Sequence, residues 1–148
     1  MQKLLFIFLL LTGGYTFCAQ DDEAHQFPQI EDQWLRAAPP NAMMLAAYGQ
    51  LINNTPGDAT LIGAYSPAFK IAEIHKTTIT DGVASMAQQQ QLIIKAGEKL
   101  HFQPGGLHIM LMQPKQKILA GEKIKICLIY QQDDKEFVQH IMFPVEKR

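Results

Sequence analysis

In the stretch LHIMLM a histidine and a methionine, His108 and Met110, stand two residues apart in an otherwise apolar run. On a strand both side chains project to the same side, about 7 Å apart along the chain, near enough to reach one ion. An imidazole and a thioether together suit a soft cation, and Cu(I) is the metal for which that pairing makes most sense. A thioether has no proton to lose and cannot be lost to disulfide formation, so such a site keeps its affinity in acid and in an oxidising compartment. Two ligands do not hold Cu(I) against competitors. The stretch AEIHKTTITDGVASM supplies two more, His75 and Met86, on the arms of a hairpin whose turn is Asp81-Gly82. Four neutral donors, two nitrogen and two sulfur, leave the ion's single charge uncancelled, which favours release to a site with more anionic donors.

Taken one at a time, these residues have a plainer reading, since methionine fills core gaps and lone histidines sit at strand ends. The combination is what points to a metal. The other soft donors keep the plainer reading: His25 and His101 as solvated side chains, Met112 as core packing two residues beyond Met110, and Met43 and Met44 as either packing or screening groups. The pair His140 and Met142 repeats the His-x-Met spacing and is a second, weaker candidate. Cys127 lies mid-strand in KIKICLIY, where alternation places Ile124, Ile126 and Leu128 on one face and Cys127 with Ile129 on the other. A buried, inert thiol is the main expectation for it.

The elements that must position these donors read as strands. From Ala59 onward, short apolar runs alternate with Gly, Pro, Asn and Asp turns: ATLIGAYSP, FKIAEIHKTTIT, VASM, QLIIKAGEKLHF, LHIMLM, GEKIKICLIY and FVQHIMFPV. That spacing is the signature of an all-β sandwich or small barrel. Upstream, a short strand is expected at Trp34 to Arg36, stopped by Pro39 and Pro40, and another in AMMLAAYGQLIN, which ends at the turn signal NNTPGD. The glutamines from Gln88 to Gln91 are expected in an exposed loop.

The chain has 148 residues, the length of one domain. Residues 1–19 read as a cleaved signal peptide: Lys3, the apolar run LLFIFLLLTGG, and small residues before QDDEAHQ. The run is too short to span a membrane as a helix, which takes about 20 residues. Lipidation at Cys18 is the lesser alternative. Residues 20–29 are polar and read as a flexible segment, and residues 30–148 as one β-sandwich domain. Loss of the leader removes Lys3 from the thirteen Lys and Arg and none of the fourteen Asp and Glu, giving a net charge of −2. No basic cluster marks a nucleic-acid partner. With Cys18 gone, Cys127 is the last cysteine, and no intrachain disulfide can form. No G-x-S-x-G elbow, H-E-x-x-H helix or Walker loop is present, so no enzyme is expected.

The spacing His75, ten residues, Met86, twenty-one residues, His108, one residue, Met110 resembles that of the PCuAC family of periplasmic copper chaperones. The surrounding words WLRAAPPNAMMLAAYGQLINN, SPAFKIAEIHKT, DGVASM, LHFQPGGLHIMLM and GEKIKICLIY are similar to that family as well, from about Trp34 to Pro144. The resemblance implies a cupredoxin-like (immunoglobulin-like) β-sandwich that binds Cu(I), with Cu(II) also bound in some relatives. It implies His75, Met86, His108 and Met110 as ligands and delivery towards the copper centre of cytochrome c oxidase, either to an oxidase subunit or to another copper chaperone. A monomer in the periplasm is expected. One departure is Ala84, where many relatives carry an accessory methionine. Another is the ending PVEKR, without the His/Met-rich tail of some relatives. The competing expectation is an exported β-sandwich binding module without metal. A cupredoxin of the electron-transfer kind would need a cysteine ligand beside two histidines, and Cys127 is far from the pattern in sequence.

Overall fold

The computed structural model describes residues 27–132 and 135–148; the expected signal peptide over residues 1–19, His25 and Cys18 lie outside the described residues. Ten strands follow one another: β1 (Gln29–Arg36), β2 (Met44–Ile52), β3 (Ala59–Tyr65), β4 (Phe69–Thr80), β5 (Val83–Gln88), β6 (Leu92–Ile94), β7 (Lys99–Phe102), β8 (Leu107–Pro114), β9 (Lys123–Gln132) and β10 (Lys135–Glu146). They pair in the order β5-β4-β8-β7-β2-β1-β10-β9-β3-β6, and β8 also bonds directly to β2. The seam between the two halves of this order is short. It is the parallel pairing of β1 with β10 at Leu35↔Val145 and Arg36↔Glu146.

Alternation along each strand decides which side is buried. In the first half Ile74 of β4, Ile109 and Leu111 of β8, and Leu45 and Ala47 of β2 point inward. In the second half Ile124, Ile126 and Leu128 of β9 and Ile141, Phe143 and Val145 of β10 do the same. All belong to one apolar cluster, so the halves close on each other as a sandwich. Each large side chain fully buried there contributes roughly 1.5–3 kcal/mol, which anchors β4 and β8 by their inner residues and leaves their outer residues free for other work.

Two elements depart from the expected boundaries. β1 starts at Gln29 instead of Trp34, because a bulge between Glu31 and Trp34, with Asp32 at φ 50°, lets the chain pair with β2 on both sides of the irregularity. The run QLIIKAGEKLHF, expected as one strand, is broken into β6 and β7. A turn with Gly97 at φ 78° carries the chain from one half to the other, where β6 pairs with β3 and β7 with β2. Buried Asn53 holds this crossing: its amide nitrogen donates to the Ile94 carbonyl at 2.7 Å, and its own carbonyl accepts from Gly97 N–H at 2.7 Å.

The β4–β5 hairpin follows the sequence closely. Thr80 pairs with Val83 across a two-residue turn in which Asp81 and Gly82 take φ 52° and 78°. Two positive φ angles define the type I′ turn, whose twist matches the flanking strands. Of the glutamine tract, Gln88 completes β5, and Gln89 donates its backbone N–H to the Ile74 carbonyl at 2.8 Å.

Candidate metal centre

His75 and His108 are Cα partners on adjacent antiparallel strands, β4 and β8, one step from the inward pair Ile74 and Ile109. With the isoleucines in the core, the two imidazoles stand on the outer face. Their ring centres are 5.9 Å apart. A transition-metal ion bound by nitrogen at about 2.0 Å lies roughly 3 Å from the ring centre, so two rings up to about 6 Å apart can share one ion.

The neighbouring pairs fill the rest of this face. Met110 is the partner of Glu73 on β4 and of Ala46 on β2. Met86 is the partner of Thr77, two residues from His75 on the same side of β4, which places it on the diagonal from His75. The fold therefore brings all four sequence-selected donors to one face of three adjacent strands, β5, β4 and β8.

Hydrogen bonding sets which nitrogen of each ring is free. His108 Nδ1 is 3.1 Å from the Gly106 carbonyl, an acceptor, so Nδ1 donates and Nε2 of the neutral ring keeps a lone pair. The turn before β8 supplies that carbonyl, which also accepts from Thr77 N–H at 3.0 Å and so ties β8 to β4 beside the pair. His75 Nε2 is 2.8 Å from the Glu73 carboxylate, so Nε2 donates and Nδ1 keeps the lone pair. His75 Nδ1 is buried and has no hydrogen-bond partner. A buried polar atom with no partner is costly, and a metal-binding nitrogen is one explanation of it. A carboxylate on the far nitrogen of a ligating histidine is the common outer-shell arrangement of metal sites.

Access differs among the donors. His108 is only 5% exposed, Met110 is half-buried, and Met86 is 50% exposed on the edge strand β5, every residue of which is exposed. Met44 and Met43, each 60% exposed, stand at the β2 end of the face. Met112 corrects an expectation: it does not pack in the core. Ile109 and Leu111 do, and alternation turns Met112 outward with Met110, opposite Ile71 and Met44. Ala84, on the same side as Met86, lies further towards the turn and pairs with Ile79.

Sequence reasoning missed three members of this face. Glu73 could have been found, because it stands two residues before His75 on a strand. Tyr48 and Trp34 could not, since only tertiary pairing places them: the Tyr48 ring centre is 6.5 Å from His108 and 4.8 Å from Trp34. The guanidinium groups of Arg36 and Arg148 cap Trp34 at 5.6 Å and 5.2 Å. The face thus reads across four strands as Trp34, Tyr48, His108 and His75. Cys127 is elsewhere, buried on the outer side of the second half; its burial pushes the thiol pKa up, with Lys125 pulling the other way. Among the described residues, no three His, Cys, Asp or Glu side chains gather as a site for a harder ion.

The family model LpqE-like, described as "Putative lipoprotein LpqE-like", matches residues 29–141. The chain belongs to this family of PCuAC domains. It is similar to "Putative lipoprotein Lxx21020" of Leifsonia xyli subsp. xyli, 38% identical over 101 residues, covering 68% of this chain. The match spans 60% of the length of that relative. Among solved structures, the PCuAC chain superposes on the Cu(I) form of DR1885 from Deinococcus radiodurans with a TM-score of 0.62 and 29% identity, over 87% of this chain and 86% of the other. It superposes on the copper-bound PCuAC domain of PmoF2 with a TM-score of 0.62 and 22% identity, over 80% and 92% of the two chains. The all-β sandwich is therefore the cupredoxin-like fold of PCuAC domains.

Proposed function

We propose that this PCuAC chain is an exported copper carrier that binds Cu(I) through His75, Met86, His108 and Met110. Residues 1–19 act as its signal peptide, and the domain from residue 30 works in the periplasm as a monomer. The observation that carries this reading is the cross-strand pair His75 and His108, 5.9 Å apart, each with one nitrogen free of hydrogen bonds, on a face shared with two thioethers. The copper-bound relatives of the same fold support it.

The donor set explains delivery as well as capture. Two imidazoles and two thioethers select a soft monovalent ion. None of the four carries charge, so an acceptor with an anionic ligand gains the electrostatic term that this site lacks. The Glu73 carboxylate, bonded to His75, offsets only part of it. Met86 is the donor least held by packing. An incoming ligand replaces it first, while the two histidines, set in strands anchored to the core, keep the ion until transfer completes. The acceptor in this reading is the copper centre of cytochrome c oxidase or another copper chaperone, and Cu(II) binds more weakly because thioethers suit it poorly.

X-ray absorption on the Cu(I)-loaded chain tests the site directly. Two sulfur and two nitrogen scatterers are expected. An oxygen-only shell, or a Cu(I) affinity unchanged in both His75→Ala and Met110→Ala, overturns the assignment.

A further inference from the structure

Two features that the sequence leaves apart meet on the other side of the sandwich. β9 and β10 pair in register with His140 opposite Cys127 and Met142 opposite Lys125. The Cys127 sulfur lies 3.1 Å from His140 Nδ1. Cys127 is 1% exposed although it sits on the outer face of the second half, flanked on β3 by its partner Tyr65. His140 is exposed, and Met142, two residues further along β10 and 45% exposed, stands on the same side. A thiol, an imidazole and a thioether from two strands are thus gathered on the face opposite to His75 and His108.

We propose that Cys127, His140 and Met142 form a second soft-metal site, which takes one Cu(I) independently of the histidine and methionine face. With His140 as the Nε2–H tautomer, the Cys127 thiol of the metal-free pair donates to Nδ1. Cu(I) takes the place of that proton: the S–H bond breaks, the proton leaves to solvent, and bonds from copper to the thiolate sulfur and to Nδ1 form, with no change of oxidation state. The thiolate charge cancels that of the ion, so the loaded pair is neutral and tolerates the burial of Cys127. With metal–sulfur and metal–nitrogen bonds of about 2.3 and 2.0 Å, sulfur and nitrogen around a three-coordinate ion stand roughly 3.7 Å apart. The present 3.1 Å must open by well under an ångström, which the exposed His140 side chain can supply by rotation. No further His, Cys, Asp or Glu joins the cluster among the described residues to complete a shell for a divalent ion. Thiolate and thioether donors select Cu(I).

A neutral, thiolate-bound Cu(I) is held more firmly than one on four neutral donors. This second site therefore acts as a store, and the opposite face as the transfer site.

Anaerobic titration of the full chain with Cu(I) alone, against a chromogenic chelator, tests this, with Cys18→Ser so that Cys127 is the only thiol. Two equivalents and a thiolate-to-copper band in the near ultraviolet are expected. Cys127→Ser should remove the band and one equivalent, and His140→Gln, a surface change that leaves folding intact, should weaken the same equivalent. A His75→Ala, His108→Ala double variant should lose only the other equivalent, which separates failure of this site from failure of the first. A single equivalent in the parent chain whose binding is indifferent to Cys127→Ser, or a second equivalent that survives both Cys127→Ser and His140→Gln, overturns the proposal.

Discussion

Glu73 accepts a hydrogen bond from His75 Nε2 at 2.8 Å, and the other nitrogen of that ring is buried with no partner. The carboxylate fixes the tautomer before any ion arrives: the proton is on Nε2, and the lone pair is on Nδ1. A ring already in its ligating tautomer needs no proton shift between its nitrogens when the ion arrives.

The first prediction follows from that pair. Glu73→Ala should lower Cu(I) affinity by about 10- to 100-fold, the usual effect of losing the outer-shell partner of a ligating histidine. Glu73→Gln, whose amide oxygen can still accept from Nε2–H, should retain more of the affinity. Nitrogen-15 spectra of the metal-free chain give an independent readout, with His75 as the Nε2–H tautomer in the parent and a mixture of tautomers in Glu73→Ala. An unchanged tautomer and an unchanged affinity in that variant would remove Glu73 from the site.

Met86 and Met110 should differ in kind. Met86 is half exposed on an edge strand with one neighbour, whereas Met110 is half-buried between β4 and β2. Met86→Ala is expected to speed Cu(I) loss to a chelator more than it weakens equilibrium binding, and Met110→Ala to weaken both. Gly82→Val gives a backbone route to the same result. It forces a β-branched residue to φ 78°, at a cost of about 1–2 kcal/mol, and should loosen the hairpin that carries Met86 while lowering the melting temperature by about 3–10 °C. Stopped-flow transfer to a coloured chelator reads the rates.

Trp34 should report on the metal. It is the only tryptophan, and it is two ring contacts from His108 through Tyr48, at 4.8 and 6.5 Å. Cu(I) at His108 should change its emission intensity, saturating at one equivalent of that site. His108→Ala should abolish the change, and Cys127→Ser should leave it intact. Emission indifferent to copper in the parent chain would separate the aromatic row from the metal face.

Much of this arrangement was legible in the sequence because strands impose a period of two. His108, Met110 and the inward Ile109 and Leu111 follow from alternation alone, and Asp81-Gly82 fixes the hairpin that carries His75 and Met86. The same rule, applied consistently, would have turned Met112 outward. What alternation does not supply is strand order. The contact of Tyr48 with His108 requires β2 beside β8, and that of Cys127 with His140 requires β9 beside β10 in one register. The break between β6 and β7 could have been read at Lys95 to Glu98, where Ala96, Gly97 and Glu98 interrupt the β-prone residues; what the sequence hides is the buried Asn53, bonded across the crossing, which holds that turn between the halves.

Tyr130 gives the fold a specific weakness in alkali. Its ring is 4% exposed and packs against Phe27 with ring centres 5.8 Å apart, and its hydroxyl donates to Gln139 Oε1 at 3.1 Å. Burial raises the phenol pKa well above the ordinary value of about 10. The folded state therefore keeps the proton where the unfolded chain has lost it. The stabilisation is complete below about pH 10, the unfolded value, and declines as pH rises above it. Tyr130→Phe should cost about 1 kcal/mol at pH 8, for the lost hydrogen bond, yet lose less stability than the parent on going to pH 11. Urea midpoints of both chains at the two pH values test this, and parallel losses would show that Tyr130 is not the group responsible.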